Sequence, residues 1–326
     1  MNGPVQLTFD LTSPEATLVD QLRLLLVEEM RNNRKKSGKI LAIRWYGGKF
    51  SHLDWLLLLL PKAWHFCEPF GGSAAVLLNR DPSPLETYND IDGDLVNFFR
   101  VLRDKPDELI EKLVFTPFSR EEFTKAYEMR GRADLPDVER ARLFFVRAEQ
   151  VRIGLAQTST AGRWAWCRLT SRSGTSGSIS RWLNRIDALW AVCERLRRVQ
   201  IENRDAIEVI QQYDSPETLF YVDPPYPHET RGDVHSYAYE LTQADHEKLA
   251  SVLHSVEGKV ALSGYRSPLT DRLYQDWTRI DAPEAIIHSV KKPRTESLWI
   301  NYRLREIGQS ALRRLKQLGV KFHVQR

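Results

Sequence analysis

What this chain lacks narrows the reading before any motif is considered. It carries only three cysteines, Cys67, Cys167 and Cys193, and no CxxC spacing joins them. They fit free thiols in a reducing cytoplasm better than a disulfide frame or a zinc site. The apolar run at residues 56–60 is far too short to span a membrane, and no signal peptide opens the sequence. Internal repeats are absent, as are the dinucleotide fingerprint GxGxxG and the phosphate loop GxxxxGKS/T. Neither sign of charge dominates: 47 basic residues face 43 acids, for a net charge of +4 and a sequence pI of about 8.9. What remains has the composition of a soluble globular protein. Its 326 residues are enough for one large domain with an insertion, or for two domains.

The most informative run present is Tyr221-Val222-Asp223-Pro224-Pro225-Tyr226. Residues 219–222 are apolar and β-prone, as a buried strand would be. Two prolines then stop the ladder, because neither has an N–H to donate and each restricts the residue before it. A carboxylate, a free carbonyl and an aromatic ring are thereby held together at a strand end. Such a turn suits a flat substrate bearing an amino group. The substrate stacks on Tyr226 while Asp223 and the Pro224 carbonyl accept its two N–H hydrogens. Asp-Pro is also a common turn former and Pro-Pro a linker element, so this run alone leaves both readings open.

A second run, Glu68-Pro69-Phe70-Gly71-Gly72-Ser73-Ala74, lies between a short strand at residues 64–67 and a helix start at residues 74–79. Strand, glycine-rich turn and helix make the geometry in which a nucleotide-like cofactor meets bare backbone, and helix amides can bind a carboxylate. Residues 85–88 form the next strand, which ends in Asn89-Asp90-Ile91-Asp92. An acid at that position can accept both ribose hydroxyls of a nucleoside cofactor. Asp90 is assigned that task, while Asp92 and Asp94 are read as caps of the helix that contains residues 95–99.

Taken in order, these motifs resemble those of the D12-class (Dam-like) adenine-N6 DNA methyltransferases, over roughly residues 39–305. Arg44-Trp45-Tyr46-Gly47-Gly48-Lys49 is similar to the family's amino-terminal motif, near the methionine part of the cofactor. Residues 68–74 are similar to the cofactor loop, usually FxGxG, with Ala74 replacing its last glycine. Residues 89–92 match the ribose motif, and Glu202-Asn203-Arg204-Asp205 matches a polar turn that brings Asp205 to the cofactor adenine. Residues 223–226 match the catalytic motif.

The resemblance implies an α/β fold: a Rossmann-like S-adenosylmethionine-dependent methyltransferase core at residues 39–114 and 199–308. A mainly helical target-recognition insertion would occupy residues 115–198, with a helical extension at 1–38 and a C-terminal tail at 309–326. S-adenosylmethionine is the implied cofactor, surrounded by Trp45, Lys49, Phe70, Gly71, Gly72, Asp90, Asp205 and Asp223. Asp223, Pro224 and Tyr226 form the implied catalytic group. Double-stranded DNA is the implied partner, with no membrane and no metal, in a cytoplasmic, nucleoid-associated enzyme.

The implied reaction is direct methyl transfer to the exocyclic amine of adenine. That nitrogen is a poor nucleophile until acceptors pull on its hydrogens and hold it in line, a matter of positioning and oriented dipoles. A base inside a duplex must first be flipped out at a cost of roughly a few kcal/mol, of which stacking on Tyr226 returns about 1–3 kcal/mol. Tyr237 and Tyr239 are read either as lining the same pocket or as packing under a loop, and His228 as a substrate-adjacent residue.

From residue 140 to 204 every basic residue is an arginine, and the acids are few: Glu149, Asp187, Glu194 and Glu202. Arginine grips phosphates and guanine edges. Residues 158–180 are rich in Ser, Gly and Thr and carry Trp164 and Trp166. The resemblance places target recognition here and implies DNA contacts from Arg152, Arg163, Trp164, Arg168, Arg172 and Arg181. The alternative is a solvated loop beside arginine-faced helices.

Elsewhere, Thr12 and Glu15 frame a capping box ahead of an apolar stripe at Leu18, Leu22, Leu25 and Leu26. Residues 31–39 are basic, a linker or a phosphate-touching arm. Thr242 opens a helix at residues 243–256, and residues 259–263 form a strand. Residues 286–288 and 298–302 form an expected closing hairpin, with Lys291, Lys292 and Arg294 at its turn. Rival functions on the same fold are methylation of cytosine N4, RNA or a protein glutamine amide, and a catalytically inactive DNA-binding module.

Overall fold

The computed structural model of the chain describes residues 38–152, 161–172, 174–227, 239–283 and 295–324, together with Leu25, Glu28 and Glu29. Leu18, Leu22, Leu26, His228, Tyr237, the strand expected at 286–288 and the cations Lys291, Lys292 and Arg294 lie outside the described residues.

A short 3-10 turn, Lys49–His52, leads into α1 (Leu53–Leu59). Then come β1 (His65–Glu68), α2 (Ala75–Asn79), β2 (Leu85–Asn89), α3 (Gly93–Asp104), α4 (Pro106–Val114), α5 (Arg120–Glu128) and α6 (Asp137–Gln150). A small hairpin, β3 (Ser171–Arg172) and β4 (Thr175–Ser176), precedes α7 (Gly177–Leu196). The chain continues through β5 (Gln200–Glu202), α8 (Ala206–Tyr213), β6 (Thr218–Val222), α9 (Gln243–Ser255), β7 (Lys259–Tyr265) and α10 (Pro268–Leu273). It closes with β8 (Thr278–Asp281), β9 (Glu296–Ile300), α11 (Gln309–Gln317) and β10 (Lys321–His323).

The main sheet has eight strands in the order β10-β8-β9-β7-β6-β1-β2-β5. Strands β5, β2, β1, β6 and β7 run parallel, whereas β9 is antiparallel to both β7 and β8. Every residue of β1, β6 and β9 is buried, as expected of strands covered on both faces. Strand order reverses between β1 and β6: the chain winds outward through β2 and β5, then returns to pair β6 on the other side of β1. Such a reversal opens a crevice beyond the carboxyl ends of the two strands, and ligands of doubly wound sheets bind there. The helix openings follow local chemistry. Asp92 caps α3 through the amides of Asp94 and Leu95, and Thr242 with Asp245 forms a capping box on α9.

Three expectations change. The partner of β9 is β8 at Thr278–Asp281, upstream of residues 286–288, and the pairing runs from Thr278↔Ile300 to Asp281↔Ser297. The segment from residue 309 is not a tail. Its α11 buries Leu315, Val320 is buried behind it, and β10 adds an edge strand to β8. Asp94 is not a cap but the shared partner of Arg140 (2.9 Å) and Arg147 (2.8 Å), which tie α6 to α3.

That last pair exemplifies the arginine-rich span. Phe144 and Phe145 of α6 and Trp182, Leu189 and Trp190 of α7 share one hydrophobic cluster with Leu77, Tyr88 and Phe98. Burying these helices brings their arginines inside, where each needs a carboxylate. Arg142 holds Glu139 and Glu122, both at 2.7 Å. Arg44 and Arg185 flank Glu149. Arg195 grips the fully buried Glu86 with two hydrogen bonds, Nη2 lying 2.6 Å from Oε1. So Arg140, Arg142, Arg147, Arg185 and Arg195 hold helices to the core, and the sequence density of arginine overstates the surface available to phosphate.

Replacing Arg195 with methionine leaves Glu86 buried with weaker partners. The variant should lose about 3 kcal/mol of stability in a urea titration. The salt dependence of DNA binding should not change.

Candidate active site

The crevice at the β1/β6 reversal is a real cavity. All eight residues expected around the cofactor line it: Trp45, Lys49, Phe70, Gly71, Gly72, Asp90, Asp205 and Asp223. Glu68, Asn89, Pro225 and Tyr239 line it as well. Tyr239 thus lines the cavity, one of its two expected readings, and half of it is exposed.

The glycine loop is shaped from below by β2. A Cβ on Gly71 would stand 2.1 Å from the ring of Tyr88, so no side chain fits there. The Tyr88 hydroxyl donates to the Gly72 carbonyl at 2.8 Å, and the Gly71 amide donates to the Asn89 carbonyl at 2.7 Å. Gly72 has φ +49°, and a Cβ there would press on Trp45 at 3.0 Å. Ala74 is also left-handed, with φ 54°, the sole non-glycine residue with positive φ among the described residues. That is where the related motif carries glycine. The strain is about 1–2 kcal/mol, and burial of the methyl group offsets part of it.

Asn89 fastens the loops around the cavity to one another. Its Nδ2 donates to the carbonyls of Pro69 (2.8 Å) and Arg204 (3.1 Å), and its Oδ1 accepts from the Arg204 amide (2.9 Å). The turns after β1, β2 and β5 are therefore one unit. Asp90 is aimed by backbone, Oδ2 accepting from the Gly72 amide and Oδ1 from the Asp92 amide, both at 2.9 Å. Burial pushes its carboxyl up to about 6. Asp205 caps α8, with Oδ1 accepting from the Ile207 amide at 2.9 Å.

A buried acid and a half-buried one, Glu68 and Asp223, stand at the ends of β1 and β6. Glu68 Oε1 accepts from the Leu77 amide at 2.9 Å, while Oε2 has no hydrogen-bond partner. Burial, with Asp223 nearby, pushes Glu68 up to about 8, which favours its protonated form at neutral pH. Asp223 Oδ2 accepts from Lys49 Nζ at 2.7 Å, and Oδ1 has no partner. Burial works against the charge of Lys49, but Asp223 and Glu296 outweigh it and hold the ammonium above its ordinary value. Lys49 also donates to the Gly47 carbonyl at 2.7 Å, so the amino-terminal motif is pinned to the turn after β6.

Pro224 and Tyr226 are buried and do not line the cavity. The Tyr226 hydroxyl is turned inward to donate to Glu296, Tyr265 packs edge-on at 4.9 Å, and Lys49 Nζ lies 5.0 Å from the ring centre. The ring is in place but covered. Glu296, Asn89 and Glu68 were absent from the expected site. Glu68 carries the same sequence signal as Asp223, an acid ending an apolar strand. Glu296 opens one.

Of the expected DNA-contacting residues, Arg152, Arg163, Arg168 and Arg181 are exposed, and Arg172 lies in β3. Trp164 is different. It packs on Phe118 at 5.5 Å, under Arg120, and donates to Gln150. Trp166 is the exposed tryptophan of this segment, with Leu169 beside it in sequence and 91% exposed.

Sheet order, glycine loop and paired acids define a nucleotide-cofactor enzyme of the α/β methyltransferase class. Residues 45–295 match the D12 class N6 adenine-specific DNA methyltransferase family. The chain belongs to that family and is an adenine-specific DNA methyltransferase that uses S-adenosylmethionine. It is 26% identical over 272 residues to a type II methyltransferase of Lactococcus lactis subsp. cremoris, covering 77% of this chain and 87% of that protein. It is 33% identical over 104 residues to the DNA adenine methylase of Escherichia coli K12, covering 28% and 37%. Among solved structures, an rRNA methyltransferase from Streptomyces viridochromogenes aligns over 81% of this chain and 86% of that one, at 10% identity and TM-score 0.30. Among the described residues no helix is long and apolar enough to cross a membrane, and no group of three or more His, Cys, Asp or Glu could hold a metal ion.

Glu68 binds its proton more tightly folded than unfolded, so the native state carries more protons between its ordinary value of 4.5 and about 8. Stability should therefore fall as pH rises through that window. Glu68→Gln keeps the Leu77 bond and removes the ionisation. Its melting temperature should exceed that of the parent at pH 8 and converge with it near pH 5.

Proposed function

We propose that this enzyme methylates the N6 amine of an adenine flipped out of double-stranded DNA, with Asp223 as the principal catalytic group. The observation that carries the proposal is the Asp223 carboxylate, whose buried Oδ1 is unpartnered, in the wall of the cavity that also holds the glycine loop and Asp90. When bound, S-adenosylmethionine supplies an electrophilic methyl group on a sulfonium.

The residues present fit that cofactor. Gly71 and Gly72 leave bare backbone where a Cβ has no room. Asp90 keeps acceptor capacity beyond its two amide bonds for a ribose. Asp205 and Trp45 line the cavity too, and are the residues expected to meet the adenine and the methionine. Asp223 and the Pro224 carbonyl accept the two hydrogens of the incoming amine, which restores nucleophilicity to its nitrogen and fixes its direction. Asp223 or water takes the proton released. Tyr226 offers its ring to the base once it is uncovered.

The exposed arginines 152, 163, 168 and 181 supply phosphate contacts, and residues 115–198 choose the target. Such a substrate places the enzyme with the chromosome in the cytoplasm. The choice of adenine over cytosine, RNA or a protein amide rests on the family match.

Asp223→Ala should lower methyl transfer by about a thousandfold or more while duplex binding survives, measured with labelled cofactor and by filter binding. Normal turnover in that variant would sink the mechanism, and N4-methylcytosine in digested product DNA would redirect the specificity. Replacing Arg163 or Arg168 with alanine should reduce the slope of log affinity against log salt by about 0.9 for each phosphate the variant no longer neutralises. An unchanged slope would put the DNA surface elsewhere.

A further inference from the structure

Glu296 opens β9 opposite Tyr265, is buried at the cavity end of the sheet, and stands one residue beyond the stretch that matches the family. Its Oε1 accepts from the hydroxyls of Ser263 (2.7 Å) and Tyr226, and lies 3.7 Å from Lys49 Nζ. Lys49 in turn donates to Asp223 at 2.7 Å and lies 5.0 Å from the centre of the Tyr226 ring. The first is the carboxylate that the amine of adenine must reach, and the second is the ring face on which its base stacks. The ammonium of Lys49 therefore lies over the ring face where the base must stack and holds Oδ2 of the carboxylate beside it, so the base cannot be seated until Lys49 moves.

Lys49 cannot simply let go. It is buried, and an ammonium moved off its carboxylate inside a protein is strongly disfavoured. Among the described residues Glu296 is the other carboxylate in ion-pair contact with it. A shift of about 1 Å toward Glu296 turns the 3.7 Å contact into a charged hydrogen bond.

We propose that Glu296 is a positioning residue for base capture. It receives Lys49 when the adenine amine arrives on Asp223, and it holds Tyr226 by the hydroxyl so that the ring face Lys49 leaves is presented to the base. The proposal rests on the reading of Asp223 and Tyr226 as partners of the base. No bond is made or broken in the exchange. One cation passes between two carboxylates, no proton moves, and the charge of the site is unchanged.

The test is Glu296→Gln, which keeps shape and an acceptor oxygen for Tyr226 and Ser263 but removes the charge. With the full chain, a methylatable duplex and labelled S-adenosylmethionine, the single-turnover rate should fall about tenfold or more, while cofactor Kd stays within about twofold. In a Lys49→Met background, which has no cation to relocate, the same change should cost less than about threefold. Should Lys49→Met be too slow to time, the cycle is read in the ratio of affinities for duplexes with adenine and with purine at the target. Purine lacks the displacing amine. Glu296→Gln should then lower that ratio only where Lys49 is present.

A turnover within about twofold of the parent would overturn the proposal, as would a loss of cofactor affinity in step with rate, or an equal penalty in both backgrounds. Normal transfer by Glu296→Gln would leave the assignment of Asp223 standing. Absence of transfer by the parent enzyme would remove both.

Discussion

The reversal of strand order between β1 and β6 is the constraint on which the site depends. It sets the ends of two fully buried strands next to each other, and each ends in an acid, Glu68 and Asp223. Two carboxylates cannot both ionise cheaply in such a place. The protein resolves the conflict asymmetrically. Glu68 keeps its proton, and Asp223 takes the ammonium of Lys49. The amino-terminal motif is thereby drawn to the turn after β6 over a sequence separation of 174 residues.

The rim of the cavity follows the same economy of few fixed points. Asn89 joins the turns after β1, β2 and β5 with three hydrogen bonds, and the Tyr88 ring under Gly71 sets how deep the glycine loop lies. Asp90 is oriented by backbone amides rather than by another side chain, so its direction does not depend on rotamer choice. A cavity of this kind is formed before its ligand arrives, which is the arrangement that least penalises binding.

Much of this was legible in the chain. The strands at 64–67, 85–88 and 219–222 and the helix after Thr242 stand where apolar runs and caps place them, because those signals are local. The expected cofactor residues at 70–72, 90, 205 and 223 converge because each follows a parallel strand, and such ends share one edge of the sheet, whereas Trp45 and Lys49 reach the cavity from the segment before the first helix. Partnerships across long separations were not legible. Nothing local distinguishes the arginines that hold Glu86, Glu149 and Asp94 from those that face water, since the difference is which side of α6 or α7 meets the core. Glu296 reads as one acid before an apolar strand, and its partners Lys49, Tyr226 and Ser263 come from three distant segments. The closing segment, α11 and β10, has too few apolar residues to announce itself. It is defined by the edge of β8 that it covers.

The inward-facing arginines have a practical meaning for how the molecule meets its surroundings. Ion pairs sealed in the interior are barely screened by added electrolyte, whereas contacts between exposed cations and a polyanion dissolve as counterions compete. Concentrated salt should therefore wash this enzyme off nucleic acid with its helices still clamped to the sheet. The same wash gives a simple way to separate what the arginines do for architecture from what they do for recognition.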